Sequence, residues 1–243
     1  TFVSVLIGDD TTADGTKVKP YKTIQKAIDN AVYGENILVA AGTYNENIVL
    51  KDGVSVYGGY NSDWSARDSI NRENLTYKTE IIPATTSSTI YGANLTNQTR
   101  VDGFTINGHS FGSRAFENTA SSNPLIMFNT IKSTGTGELE HYGIYNEGSS
   151  PVIENNIISV GSSFTNYGIY SSSSSATIRY NNIYGGSGNN NHGIYNANGS
   201  TGLIQFNNVY GGDGSSQTVG INNNTTSSTI IKNNSINGGN SIN

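Results

Sequence analysis

Two carboxyl groups roughly 5–9.5 Å apart are the minimum for hydrolysing a glycosidic bond, one to protonate the leaving oxygen and one to attack or to activate water. In the C-terminal half the candidates are Glu117, Glu147 and Glu154. Glu117 and Glu147 fall in equivalent segments, but Glu147 comes one position later, so solvated surface carboxylates are the reading they fit better. Lyase chemistry needs a basic Lys or Arg beside a calcium held by carboxylates. Arg179 follows Glu154 by one repeat and reads first as its ion-pair partner. Glu138, Glu140 and His141 offer ligands for a cation, or simply solvate a long inserted loop, which is the better fit. The densest acidic group is Asp9, Asp10 and Asp14 in a glycine-containing loop. Oxygen-rich loops of this kind hold Ca²⁺, but the spacing departs from an EF-hand loop. It reads first as a polar turn region, with calcium as the one cofactor it suggests.

Tyrosines form the other group with chemical character. Tyr145, Tyr170 and Tyr195 occur in Tyr142-Gly-Ile-Tyr-Asn146, Tyr167-Gly-Ile-Tyr-Ser171 and His192-Gly-Ile-Tyr-Asn196. If Ile144, Ile169 and Ile194 face an interior, strand alternation sends these tyrosines outward as a column. Ile158, Tyr184, Tyr210 and Ile236 give a second outward column, interrupted below by Lys132. Cross-strand stacking accounts for both columns; sugar stacking or a protein contact is the alternative.

The elements that position these residues are set by repetition. Asparagine pairs recur every 26 residues, at Asn155-Asn156, Asn181-Asn182, Asn207-Asn208 and Asn233-Asn234. A beat of this length marks stacked supersecondary units. Apolar residues come in short pieces between Gly, Ser and Asn, which excludes helical solenoids. Leucine is too scarce for leucine-rich repeats, and propeller blades need about 40 residues or more. A coil of three short strands remains: 143–146, then 151–155, then 156–160, with 161–166 as a loop into the next coil. This predicts an all-β fold, a parallel β-helix built as a three-sheet solenoid. Ile144, Ile169, Ile194 and Ile221 form one inward column, Val152, Ile178, Ile204 and Ile230 a second, and Ile157, Ile183 and Val209 a third. The paired asparagines sit at a corner, where Asn tolerates left-handed backbone, and Asn155, Asn181 and Asn207 are expected to stack as a hydrogen-bonded ladder. Asn129 extends the ladder and Phe104 replaces Asn one coil earlier. Ala115-Phe-Glu-Asn118 stands where Gly-Ile-Tyr-Asn stands later.

Residues 1–60 read differently, as an N-terminal cap with the first coils; residues 61–243 continue the coils within the same domain. Phe2–Ile7 reads as a strand. From Thr23 to Tyr33, Ile24, Ala27, Ile28, Ala31 and Val32 keep helical spacing with Gly34 as the stop. An amphipathic helix there covers a first coil whose edge would otherwise recruit another chain. The run Asp14-Gly-Thr…Pro20-Tyr-Lys-Thr-Ile-Gln-Lys-Ala-Ile28 and the run Ile37 to Tyr60, "ILVAAGTYNENIVLKDGVSVYGGY", resemble the openings of secreted right-handed parallel β-helix proteins of the pectin-lyase-like superfamily. The resemblance implies the fold over nearly the whole chain and leaves activity open. That superfamily holds polysaccharide lyases and hydrolases, pectin esterases, phage tailspikes and cell-surface proteins. The Asp set, Gly-His-Gly and Arg-x-Lys of its polygalacturonases are absent here.

Composition bounds the rest. The 243 residues are 13% charged with net charge −5 and no basic patch, which excludes nucleic-acid binding. No apolar run reaches the roughly 18 residues of a membrane span. There is no Cys, and the chain opens at Thr1 as a processed or trimmed chain would. Asn-x-Ser/Thr sequons at Asn74, Asn94, Asn97, Asn198 and Asn224 carry little weight in so Asn- and Ser-rich a sequence. The expectation is a non-enzymatic extracellular or cell-surface module with a structural, adhesive or filament-forming role. The alternatives are a carbohydrate-active enzyme of lyase type and a glycan-binding module using Tyr145, Tyr170, Tyr195, Tyr184 and Tyr210. The sequence around Asn234–Asn243 is still repeat, so a fragment of a longer protein and head-to-tail self-assembly through an uncapped last coil are both expected ways to cover it.

Overall fold

Strands of two to six residues cannot satisfy their own backbone, so each must be flanked by a strand of the coil before and the coil after. The computed structural model describes residues 1–68, 75–111, 114–224 and 226–241, the side chains of 136–139 and 241 excepted. The Asn74 sequon and the Glu138 side chain lie outside the described residues. Pairing between successive coils is parallel throughout. The chain is the parallel β-helix that its repeats and its resemblance imply.

The first face stacks nine strands, Phe2–Val3, Asn36–Ala40, Ser55–Tyr60, Arg100–Asp102, Leu125–Met127, Val152–Glu154, Thr177–Arg179, Thr201–Gln205 and Ser228–Lys232. The second and third faces share one hydrogen-bonded sheet, because Thr130–Glu147 and Ile157–Ser172 run unbroken round the corner between them. Segments read from sequence as loops, 133–141 and 161–166, are therefore strand. Ser133 pairs with Val160 and His141 with Asn166, with two register shifts between. Each segment lacks apolar periodicity, but each finds the other one coil away.

Inward columns hold the interior together. Ile144, Ile169 and Ile194 are fully buried on the third face, in register with Ile221. The other two columns differ by one residue from the sequence reading. On the first face Ile153, Ile178 and Ile204 point in, while Val152 and Ile230 stand beside them in the adjacent column. On the second face Ile158 joins Ile183, Val209 and Ile236, so Ile157 is not inward and Ile158 and Ile236 are not in the outward column. Tyr184 and Tyr210 do face outward, above Ser159 and Lys132.

The slip has one cause. Asn156 and Asn181 lie 25 residues apart, Asn181 and Asn207 lie 26 apart, and Asn207 and Asn234 lie 27 apart. The ladder is Asn129, Asn156, Asn181, Asn207 and Asn234, so Asn155 is not a member. In each step the backbone amide and Nδ2 of one Asn donate to Oδ1 of the next, at 2.9–3.2 Å. Phe104 donates its amide to Asn129 in the same way, at 3.0 Å. Asn155 occupies the preceding position, where Phe128, Asn155, Tyr180, Phe206 and Asn233 all take positive φ of 53–57°. The Asn-Asn dipeptides thus mix two structural positions.

The helix is shorter than its apolar spacing suggests, Ile24–Asn30, capped by Thr23. Ala31 leaves it in extended conformation, and Lys51 Nζ takes the carbonyls of Asp29 and Ala31. Val32 and Tyr33 are consequently exposed. At the other end Glu46 accepts from the amides of Ile24 and Gln25, both at 2.9 Å. Ile24, Ala27 and Ile28 are buried over the first coils, as a cap requires. The first strand stops at Val3, since the Ser4 hydroxyl accepts from the amides of Leu6 and Ile7 in a turn.

Candidate binding groove on the third face

The third face carries one outward column along the molecule: Val49, Tyr91, Glu117, Tyr145, Tyr170, Tyr195 and Asn222 in register. A second runs beside it through Arg114, Tyr142, Tyr167, His192 and Val219. The two can lie side by side because Gly143, Gly168 and Gly193 drop out of the register between them. A Cβ on Gly168 would come within 2.5 Å of the Gly193 carbonyl and 2.6 Å of Ile183. These glycines are the reason for the repeated Tyr-Gly-Ile-Tyr.

Within each column the rings lie face to face. Tyr145, Tyr170 and Tyr195 stack with centroids 5.2 and 5.6 Å apart, and Tyr142, Tyr167 and His192 with centroids 5.1 and 5.2 Å apart. Between columns the contacts are edge to face. Arg114 covers the lower face of the stack, its guanidinium 3.7 Å from the Tyr145 centroid. The ring faces between Tyr145, Tyr170 and Tyr195 are therefore occupied by one another, and Asn222 follows Tyr195 in the column. Burial raises the Tyr142 and Tyr167 phenols well above their usual range, and pushes Tyr145 up to about 12 against the pull of Arg114. Burial also lowers His192 to about 4, and its Nδ1 has no partner among the described residues. Tyr184 and Tyr210 on the second face meet edge to face at 6.3 Å, and Tyr210 donates to Asp213.

Below the stack the same face opens into a groove of about 1020 Å³. Its floor is Tyr91, Arg114 and Glu117, its walls are the segments 45–49 and 84–88, and Glu140 and Tyr142 close the end nearest the stack. Of the sequence candidates the groove gathers Glu117 and Glu140. Glu117 is bonded by Arg114 and by the Ser88 hydroxyl, and Glu140 by the Tyr142 hydroxyl. Glu147 lies outside, accepting from Tyr145 at 3.1 Å, and Glu154 is on another face, paired with Arg179 at 2.7 Å as its spacing indicated. Glu46 also lines the groove; burial is the largest influence on it and pushes its carboxyl up, against its two helix amides. Sequence reasoning missed Tyr91, Arg114, Asn47 and the Thr/Ser run 85–88, which lie in coils too irregular for the repeat to register.

The acidic N-terminal loop is built differently from a ligand cage. Asp9 accepts from Thr11 and Thr12, Asp14 from Thr16, and Asp10 from the amides of Lys22 and Thr23. Their hydroxyl and amide donors hold Asp9 and Asp14 below the usual carboxylate range. No cluster of three His, Cys, Asp or Glu side chains suited to a metal occurs among the described residues.

The family described as "Protein of unknown function (DUF1565)" matches residues 6–242. No curated protein matches the chain. Among solved structures, pectin methylesterase PemA from Erwinia chrysanthemi is similar over 97% of this chain and 67% of its own, at 16% identity and a TM-score of 0.46. ORF18 of Geobacillus virus E2 is similar over 98% of this chain and 59% of its own, at 10% identity and a TM-score of 0.34. This chain therefore spans less than two thirds of the viral protein. Among the described residues no helix is long and apolar enough to cross a membrane.

Proposed function

The chain belongs to the family described as protein of unknown function (DUF1565), and within it we propose a non-enzymatic, adhesive β-helix module that holds a short stretch of polysaccharide in the third-face groove. The observation that carries this reading is the groove itself. Its volume of about 1020 Å³ suits a few sugar rings. Its lining combines two aromatic rings, Tyr91 and Tyr142, with amide and hydroxyl groups from Asn45, Asn47, Thr85, Thr86, Ser87 and Ser88. Neutral polyols are recognised by such mixed surfaces. The binding role falls to this groove instead of the tyrosine columns, whose inner ring faces are stacked on one another.

What supports a binding role over a catalytic one is the state of the carboxylates. Glu117 is held by Arg114 and the Ser88 hydroxyl, Glu140 by the Tyr142 hydroxyl and Glu46 by two backbone amides, so each carboxylate already serves a structural contact. An extracellular or cell-surface setting agrees with a Cys-free chain rich in Asn, Ser and Thr.

A panel of neutral oligosaccharides tests the groove by calorimetry, with reducing-end assays on the same samples. Binding without new reducing ends is expected, weakened at least tenfold by Tyr91→Ala and little by Tyr184→Ala. A panel with no binder sinks the proposal. Release of products favours the second reading, glycoside hydrolysis by Glu117 and Glu140, which their shared position in the groove makes specific.

A further inference from the structure

On the first face, three side chains, Tyr57, Arg67 and Arg100, are locked together around one acid. Asp102 is 1% exposed. It accepts from Arg67 with one carboxylate oxygen and from Nε and Nη2 of Arg100 with the other. Both guanidiniums also lie against the Tyr57 ring, with centroid distances of 5.4 and 5.6 Å. Arg67 is further tied to the Gly58 carbonyl at 2.8 Å. Among the described residues these ion pairs set two guanidiniums on one carboxylate.

Arg100 spends Nε and Nη2 on Asp102, and its Nη1 has no hydrogen bond among the described residues. Arg100 lines a small cleft of about 280 Å³ with Asn36, Ser55, Tyr57, Asn97 and Gln98. The amides of Asn36 and Asn97 are exposed there. A guanidinium held by a buried acid and an aromatic face, with one edge turned to a cleft of amide and hydroxyl groups, is preorganised for an oxyanion.

We propose that this cleft is an anion subsite, separate from the third-face groove, that takes a single carboxylate on a ligand of one-ring size. The volume lies just below the range for drug-sized ligands, which limits the occupant to about one sugar ring or its equivalent. Arg100 supplies the charge, and Asn36 and Asn97 supply neutral donors around the carboxylate. Arg67 is a positioning residue, since it holds Asp102 and Tyr57 in place behind Arg100. A neutral sugar offers no carboxylate to pair with the Arg100 guanidinium and binds more weakly.

The test is an amide-proton NMR titration of the whole chain with sodium glucuronate, with glucose and sodium sulfate as parallel probes at matched ionic strength. Glucuronate shifts signals of 36, 55, 57 and 97–100, and glucose leaves them unmoved. Sulfate moving the same signals in competition with glucuronate supports the oxyanion chemistry, and sulfate failing to move them supports the carboxylate as the preferred group. Arg100→Gln weakens glucuronate at least tenfold. Because that variant disturbs the Asp102 cluster, the double variant Asn36→Ala/Asn97→Ala, at two exposed positions, provides a second reading and weakens binding several-fold. Equal shifts with glucose, or an unchanged affinity in both variants, overturns the proposal. The groove variant Tyr91→Ala leaves this titration unaffected, so failure here and failure of the groove reading are told apart.

Discussion

At the scale of single residues, the polar side chains of this chain divide into those that water keeps and those that a neighbouring coil keeps. His192 is the sharpest case of the second kind. It continues a stack begun by Tyr142 and Tyr167, is 3% exposed, and its Nδ1 has no partner among the described residues. Its pKa falls from an ordinary 6.5 to about 4 on folding because burial disfavours the imidazolium. The folded state therefore binds the proton less readily than the unfolded state between those values. Stability is fully present above pH 6.5 and drains away as pH falls toward 4, by up to about 3 kcal/mol. His141, lowered by burial too, acts in the same direction. Glu46 opposes them: its raised pKa makes its contribution improve as pH falls through the folded value. His192→Phe keeps a ring in the column and removes one titration. Urea unfolding at pH 7 and pH 4.5 is expected to show a smaller loss for the variant than for the parent. Equal losses would place the acid sensitivity elsewhere.

At the scale of the element, the corner between the first and second faces separates two roles that the sequence runs together. Asn156 is 1% exposed and bonded to Asn181 above and to the carbonyls of Ile126 and Glu154. Asn155 has φ 55° and bonds only to the adjacent Glu154 side chain and to a backbone carbonyl. Asn156→Ala strands buried partners and is expected to cost about 1–3 kcal/mol. Asn155→Gly accepts the same left-handed backbone and is expected to change stability by about 0.5 kcal/mol or less. Chemical denaturation of the two variants checks this, and equal costs would contradict the ladder as described. The same corner explains what was legible beforehand. Parallel coils, three faces, the Ile144–Ile169–Ile194 column, the Asn ladder and the helical cap all follow from periodicity and turn chemistry. The one-residue slips at Val152, Ile157 and Asn155 do not, because coil lengths vary between 25 and 27 while the dipeptide keeps a constant beat. The groove was invisible for a related reason: Tyr91 and Arg114 sit in coils without the repeat, and their convergence depends on which strands stack, not on spacing.

At the scale of the whole molecule, a stack of coils behaves as a nearly one-dimensional solid, in which each layer is stabilised chiefly by its neighbours. The two ends are then unequal. At the first, Ile24, Ala27 and Ile28 of the helix seal the interior, with Glu46 and Thr23 holding the helix N-terminus. At the other, Ile230 is 63% exposed, and Ile231 and Ile236 close the inward columns without a layer above them among the described residues. Opening free energy must fall toward that end, since a terminal layer loses one interface when it detaches and a central layer loses two. Hydrogen exchange is expected to run fastest in Ser228–Lys232 and Ser235–Asn237 and slowest in the amides of 144, 169 and 194, with the helix-covered coils in between. Exchange in Ser228–Lys232 and Ser235–Asn237 as slow as in the amides of 144, 169 and 194 would contradict this layered account, because it would mean that a layer's protection does not depend on the layers packed against it.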